Sequence, residues 1–130
     1  MTNFPFQLLD NDGVIVLIAH IENRFRLRLA LDTAASHTTI DSNMLFMLGY
    51  ELKDALNEVE VETSNGIIIV EEHRLKKLSC IGIERTGFVI QVYDFLAHGV
   101  TSDYDGVIGL DFLKERKICI DFKTFVLSVS

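Results

Sequence analysis

Basic residues are scarce: twelve Lys and Arg stand against nineteen Asp and Glu, a formal charge of −7. That balance argues against non-specific binding to nucleic acid or to an anionic membrane, because phosphate contacts need clustered cations. The basic cluster Arg74-Leu75-Lys76-Lys77 is short and follows Glu71-Glu72, as a solvated strand face or turn does. Cysteine occurs twice, at Cys80 and Cys119. Two cysteines so far apart form neither a metal-ligand spacing nor a redox motif, and their apolar neighbours suit buried free thiols. No apolar run reaches the roughly 18 residues needed to span a bilayer. The N-terminus lacks a basic start followed by a long apolar stretch, so no signal peptide is read and a cytoplasmic location is expected.

What remains is ordinary globular material: 130 residues, 48% hydrophobic and 24% charged. A chain of this size buries roughly two-thirds of its unfolded surface, enough for one core. Residues 1–12 read as a lead-in and 13–130 as a single domain. Asp10-Asn11-Asp12-Gly13 reads as a turn, since the spacing and terminal Glu of a calcium loop are absent.

Val14 to Ile21 is β-branched and apolar, and Phe25 to Leu31 alternates behind the turn Glu22-Asn23-Arg24. Phe25, Leu27, Leu29 and Leu31 share one face of that second strand; Arg26, Arg28 and Ala30 share the other. His20, on the first strand, has no nearby ligand partner and reads as structural. A short helix is expected over Met44 to Leu48, with Asp41-Ser42 before it and Gly49 as its stop. Val59 to Ser64 and Ile67 to Val70 flank Asn65-Gly66, which predicts a hairpin with a two-residue primed turn. Its apolar tip would be an aggregation cost unless something binds beneath it. Further strands are read over Leu75–Ile83 and Phe88–Phe95, turning at Glu84-Arg85-Thr86-Gly87. A loop follows over 98–103. The last hairpin joins Ile118–Phe122 to Phe125–Val129 around Lys123-Thr124. About eight strands and two short helices are expected.

One stretch does not read as a strand that only buries itself. Leu29-Ala30-Leu31-Asp32-Thr33-Ala34-Ala35-Ser36 ends an apolar run in a carboxylate, a hydroxyl, two very small residues and another hydroxyl. That pattern delivers an acid to a tight loop where other groups must approach closely. Val107-Ile108-Gly109 repeats the theme more weakly, a short apolar strand entering the helix-like Leu110-Asp111-Phe112-Leu113.

These features, in this order, resemble the retropepsin-like aspartic proteases, single-lobe enzymes that work as dimers. The Asp32 stretch is similar to the family's apolar-apolar-Asp-Thr-Gly-Ala-Ser signature. The hairpin Val59 to Val70 resembles the flap that folds over bound peptide. Val107-Ile108-Gly109 resembles the strand that threads beside the catalytic loop. The resemblance covers about residues 13–130. It implies a mainly β, single-lobe acid-protease barrel with one or two short helices. It also implies catalysis by Asp32, with loop support from Thr33, Ala34, Ala35 and Ser36. Thr33 is expected to hydrogen-bond across a dimer axis, and Ser36 to the Asp32 carboxylate. Ser64, Asn65, Gly66 and Ile67 would form the flap and bind substrate, and Val107, Ile108 and Gly109 would pack the loop. At the third signature position Ala34 replaces the usual Gly, adding a methyl and restricting the backbone.

Metal-free peptide hydrolysis by carboxylates needs two of them sharing one proton. Asp105 and Asp111 sit in turn and helix-start contexts, so the second acid must be Asp32 of another copy. The expectation is a homodimer acting on extended peptide, without cofactor or metal and without nucleic-acid or membrane partners. A histidine partner for the acid, His37, would be a different mechanism. The alternative is a catalytically silent peptide-binding or dimerisation module on the same fold.

Overall fold

The computed structural model describes residues 1–9, 13–99 and 102–130. The turn expected at 10–13 and the loop expected over 98–103 therefore fall partly outside the described residues. Eleven strands and two short α-helices are present among them. In chain order the strands are β1 Thr2–Pro5, β2 Gln7–Leu9, β3 Val14–Ile21, β4 Phe25–Leu31 and β5 Thr39–Asp41. After helix α1, Ser42–Met47, come β6 Asn57–Thr63, β7 Gly66–Cys80, β8 Ile83–Tyr93 and β9 Gly106–Ile108. Helix α2, Leu110–Leu113, then leads to β10 Ile118–Asp121 and β11 Val126–Val129. The count exceeds the expected eight mainly because the lead-in itself forms strands. β1 pairs with β11, and β2 with β3.

Eight strands run in the order β2-β3-β4-β9-β5-β8-β7-β6, and β3 also pairs with β7. That extra pairing closes six of them into a ring, leaving β2 and β6 as appendages. Closure satisfies backbone groups that an open sheet would leave at its edges. Long β7 makes it possible. Its first half pairs with β6, and its last three residues, Leu78 to Cys80, pair with β3. Its inward face switches between Leu75 and Leu78, both fully buried, so one strand serves two parts of the barrel. The remaining three strands form a small sheet of order β1-β11-β10.

The alternation read in β4 is real: Leu27 and Leu29 are fully buried with Ile40, Ile90, Ile108 and Phe112. The Phe112 ring meets Phe88 edge-on at 5.8 Å. Arg85 donates to the carbonyls of Phe112 and Lys114, a cation placed where the last carbonyls of α2 lack partners. Helix α1 starts at Ser42, two residues before the expected Met44, because the Asp41 side chain caps it by accepting from Asn43 N. Among the described residues no helix is long and apolar enough to cross a membrane.

Two turns differ from expectation. Glu84 to Gly87 lie within β8, and the chain reverses at Ile81-Gly82, where Cys80 pairs with Ile83. Both turn residues are left-handed, at φ 45° and 73°, as a primed hairpin turn requires. A β-branched residue rarely adopts that conformation, so the sequence pointed to Gly87 instead. Gly87, at φ 60°, kinks β8 without ending it. In the β6–β7 hairpin Thr63 pairs with Gly66, so the reversal is at Ser64-Asn65, one residue early. Neither of these two has positive φ; Gly66 takes it, at 116°. The turn is therefore not of the primed type, and the glycine sits just after it. The Thr63 hydroxyl donates to the Gly66 carbonyl (2.7 Å), pinning the reversal.

Candidate active site

Asp32 follows the end of β4 and keeps the strand's ladder one step further, its N–H donating to the Ile108 carbonyl at 3.0 Å. β9 lies between β4 and β5, parallel to the first and antiparallel to the second. The loop 32–38 thus leaves one neighbour of β9 and returns as the other. Such threading needs backbone to pass backbone closely. A Cβ on Gly109 would lie 2.6 Å from the His37 carbonyl carbon and 2.8 Å from the Ala35 oxygen. A Cβ on Gly106 would collide with the Thr39 carbonyl oxygen. Glycine is needed at both places for space: Gly109 itself is extended, at φ −99°.

Within the loop, the Asp32 carboxylate accepts a hydrogen bond from Ala34 N (2.9 Å), and Ala35 N donates to the Asp32 carbonyl (3.2 Å). The carboxylate is partly exposed, held in place by backbone yet open to a reactant. Ala34 is exposed and its φ is not positive, so the replaced glycine is not required for conformation here. Thr33 is exposed. Ser36 departs from the expected bond to Asp32: its hydroxyl pairs with His37 Nδ1 at 2.8 Å.

The far side of the loop is tied down by residues 73 positions away. Asp111 Oδ1 accepts from Thr38 N (2.9 Å), the Thr38 hydroxyl (2.7 Å) and Phe112 N (2.8 Å). The fully buried Thr38 hydroxyl in turn accepts from Gly109 N (3.1 Å). Leu110 N and Asp111 N donate to the Ala35 and Ser36 carbonyls. Asp111 was expected to cap or start α2; instead Gly109 precedes the helix and Asp111 sits in its first turn, where it fastens α2 to the Asp32 loop. Asp105 likewise does more than shape a turn, its Oδ2 accepting from Arg28 N at 2.8 Å.

Thr38 was missed because a Thr opening a short strand carries no local sign of its distant acid. Thr38→Val keeps the shape but leaves Gly109 N–H unpaired and removes one donor to Asp111. Unpaired buried groups cost about 1–3 kcal/mol each, so urea unfolding should show a loss in that range. An unchanged midpoint would contradict this role for the hydroxyl.

The structure gathers Asp32, Ala34, Ala35, Ile108 and Gly109 at one place. Beside them a cavity of about 440 Å³ is lined mostly by apolar residues such as Leu31, Leu110, Leu113 and Ile120, with Thr33, Lys114 and Arg116. Residues 64–67, expected to form a flap, stand at the end of the β6–β7 hairpin, and among the described residues no hydrogen bond joins them to the loop. Ile67 and Ile69 are 68% and 62% exposed, so the tip is apolar as expected.

Residues 17–112 match the family model of the aspartyl proteases. No curated protein matches the sequence. Among solved structures, the chain is similar to a retropepsin-like aspartic protease from Rickettsia conorii, at 20% identity and a TM-score of 0.71. The alignment covers all of this chain and 99% of the other. The match places Asp32 and the threaded strand β9 inside one recognised family unit. The chain has the retropepsin-like fold and belongs to the aspartyl protease family.

Proposed function

We propose that the protein is a homodimeric aspartic endopeptidase, with one Asp32 from each subunit forming the reacting pair. The observation that carries this reading is a partly exposed carboxylate fixed by backbone at the rim of a threaded, glycine-dependent loop. Strands β3 to β9 supply the rigid frame such a site needs. Asp105 and Asp111 are committed to Arg28 N and to Thr38, so neither is free to serve as the second acid. A two-fold axis beside Asp32 brings an identical acid to it.

With two carboxylates in close contact, one keeps a proton. The ionised member removes a proton from water as that water attacks the peptide carbonyl. The neutral member hydrogen-bonds to the carbonyl oxygen and protonates it as the tetrahedral intermediate forms. The leaving nitrogen then takes a proton as the C–N bond breaks. The pair titrates as one unit. Exposed Thr33 is the residue that would bond across the axis, and the apolar cavity at Leu31 and Leu110 would be covered by the partner. Flap residues Ser64, Asn65, Gly66 and Ile67 would close over an extended peptide, pairing with its backbone. Ala34 is compatible with this, since the loop does not call on it for positive φ.

A hydroxyl-bearing transition-state mimic of an extended peptide tests the reading. Titration calorimetry should give one inhibitor per two chains, with the dimer population rising on binding. One inhibitor per chain, or none bound, would sink it; peptide binding without any cleavage would favour the silent module instead.

A further inference from the structure

One face of β4 carries an unusual pair. Alternation puts Arg26, Arg28 and Ala30 on one side of the strand, and Asp32 extends the same series. Across β3, Arg28 is opposite Ile18 and Arg26 is opposite His20. Among the described residues neither guanidinium has a carboxylate within ion-pair distance. The nearest acid by bonding, Asp105, is committed to the Arg28 backbone N–H. Arg28 is half-buried, and both arginines line a cavity of about 240 Å³ with Phe6, Val16 and Ile18.

In a chain of net charge −7, two adjacent cations lining one hollow with no counter-ion among the described residues are an unbalanced arrangement. Like charges on alternate residues of one strand face repel, and the apolar wall weakens the hydration of half-buried Arg28. A carboxylate entering the hollow relieves both, and a guanidinium fork suits it geometrically.

We propose that Arg26 and Arg28 form a specificity subsite that receives an acidic side chain of the bound peptide. The proposal rests on the protease reading, because it uses the position of this face relative to Asp32. At about 3.3 Å per residue, Arg28 lies roughly 13 Å along the strand from Asp32 and Arg26 roughly 20 Å. An extended peptide covers the nearer distance in about four residues. The preferred acid therefore falls three to six residues from the scissile bond, on one side of it.

The test is a glutamate scan through a neutral, apolar, extended peptide. At one or two positions in that range, Glu should raise kcat/KM over the neutral parent by about tenfold, chiefly through a lower KM. In Arg26→Gln/Arg28→Gln the ratio of acidic to neutral kcat/KM should fall close to one. Because the ratio is read within one enzyme, a variant that folds less well still reports it. Arg26→Glu/Arg28→Glu should instead favour Lys at the same position. A flat glutamate scan, or a preference that survives in the Gln variant, overturns the subsite. Failure to cleave any peptide refutes the protease reading separately. In that event, fluorescence anisotropy of the same labelled peptides decides the subsite by the same ratio, taken from Kd.

Discussion

Asp32→Asn is expected to lower peptide cleavage by at least about 10³-fold, the range that a lost acid–base group commands. Asparagine keeps the shape of the side chain and the oxygen that accepts from Ala34 N. The loop should therefore fold as before, and thermal unfolding should be nearly unchanged. What the proposed pair would lose is its shared proton, since an amide neither ionises nor donates as a carboxylic acid does. A variant that still cleaved at a tenth of the normal rate would rule out Asp32 as the reacting acid.

Mixing makes the same substitution report on symmetry. If each active unit needs Asp32 from both chains, equal amounts of wild-type and Asp32→Asn subunits, allowed to exchange, leave about one quarter of the dimers competent. Total activity per wild-type chain then falls to about half that of the wild-type alone. If each chain works by itself, activity per wild-type chain does not change. The measurement needs only rates at a fixed wild-type concentration, well above the dimer dissociation constant. It separates a shared site from a monomeric one without any inhibitor.

The parts of the site that were legible in the sequence are those written in adjacent residues. Asp32 with its hydroxyl and small neighbours, and Val107-Ile108-Gly109 before a helix, are local patterns produced by local requirements. A strand must stop, and a backbone must be approached. What was not legible depends on residues far apart in sequence. Nothing near Gly106 shows that the Thr39 carbonyl will press against it. Nothing near Thr38 shows that Asp111 will hold its hydroxyl. The expected bond from Ser36 to Asp32 came from the resemblance, and the neighbouring His37 takes that hydroxyl instead. Turns failed for another reason. Ile81 holds a conformation its side chain disfavours, so its burial at 7% exposure outweighs local preference. In the β6–β7 hairpin, Asn65-Gly66 announced a reversal correctly, but Gly66 uses its freedom after the turn rather than within it. The arginine pair was visible as Arg26 and Arg28 on one face. That no described residue supplies its counter-ion appeared only once the neighbouring strands were in place.

Gly109→Ala is expected to be the most damaging single methyl in the chain outside Gly106. The added Cβ would meet the His37 carbonyl carbon at 2.6 Å, its oxygen at 2.7 Å and the Ala35 oxygen at 2.8 Å. All three are backbone atoms, so no rotamer change relieves them. Overpacking against fixed backbone costs about 3 kcal/mol or more. At this chain length that should lower Tm by roughly 10 °C. Gly49→Ala provides the comparison. Gly49 has φ 94° and nothing within 4 Å of the site of a Cβ, so its cost is conformational alone, about 1 kcal/mol. Equal effects of the two variants would contradict the close-approach explanation for Gly109. The two should also differ in function. Relief of the Gly109 clash requires loop 32–38 to move away from β9, and Asp32 is anchored to β9 through the Ile108 carbonyl. Below its Tm, folded Gly109→Ala should therefore still lose most of its activity, because a displacement of about 1 Å in a reacting group can cost about 10² in rate. Folded Gly49→Ala, altered at the end of a surface helix, should not.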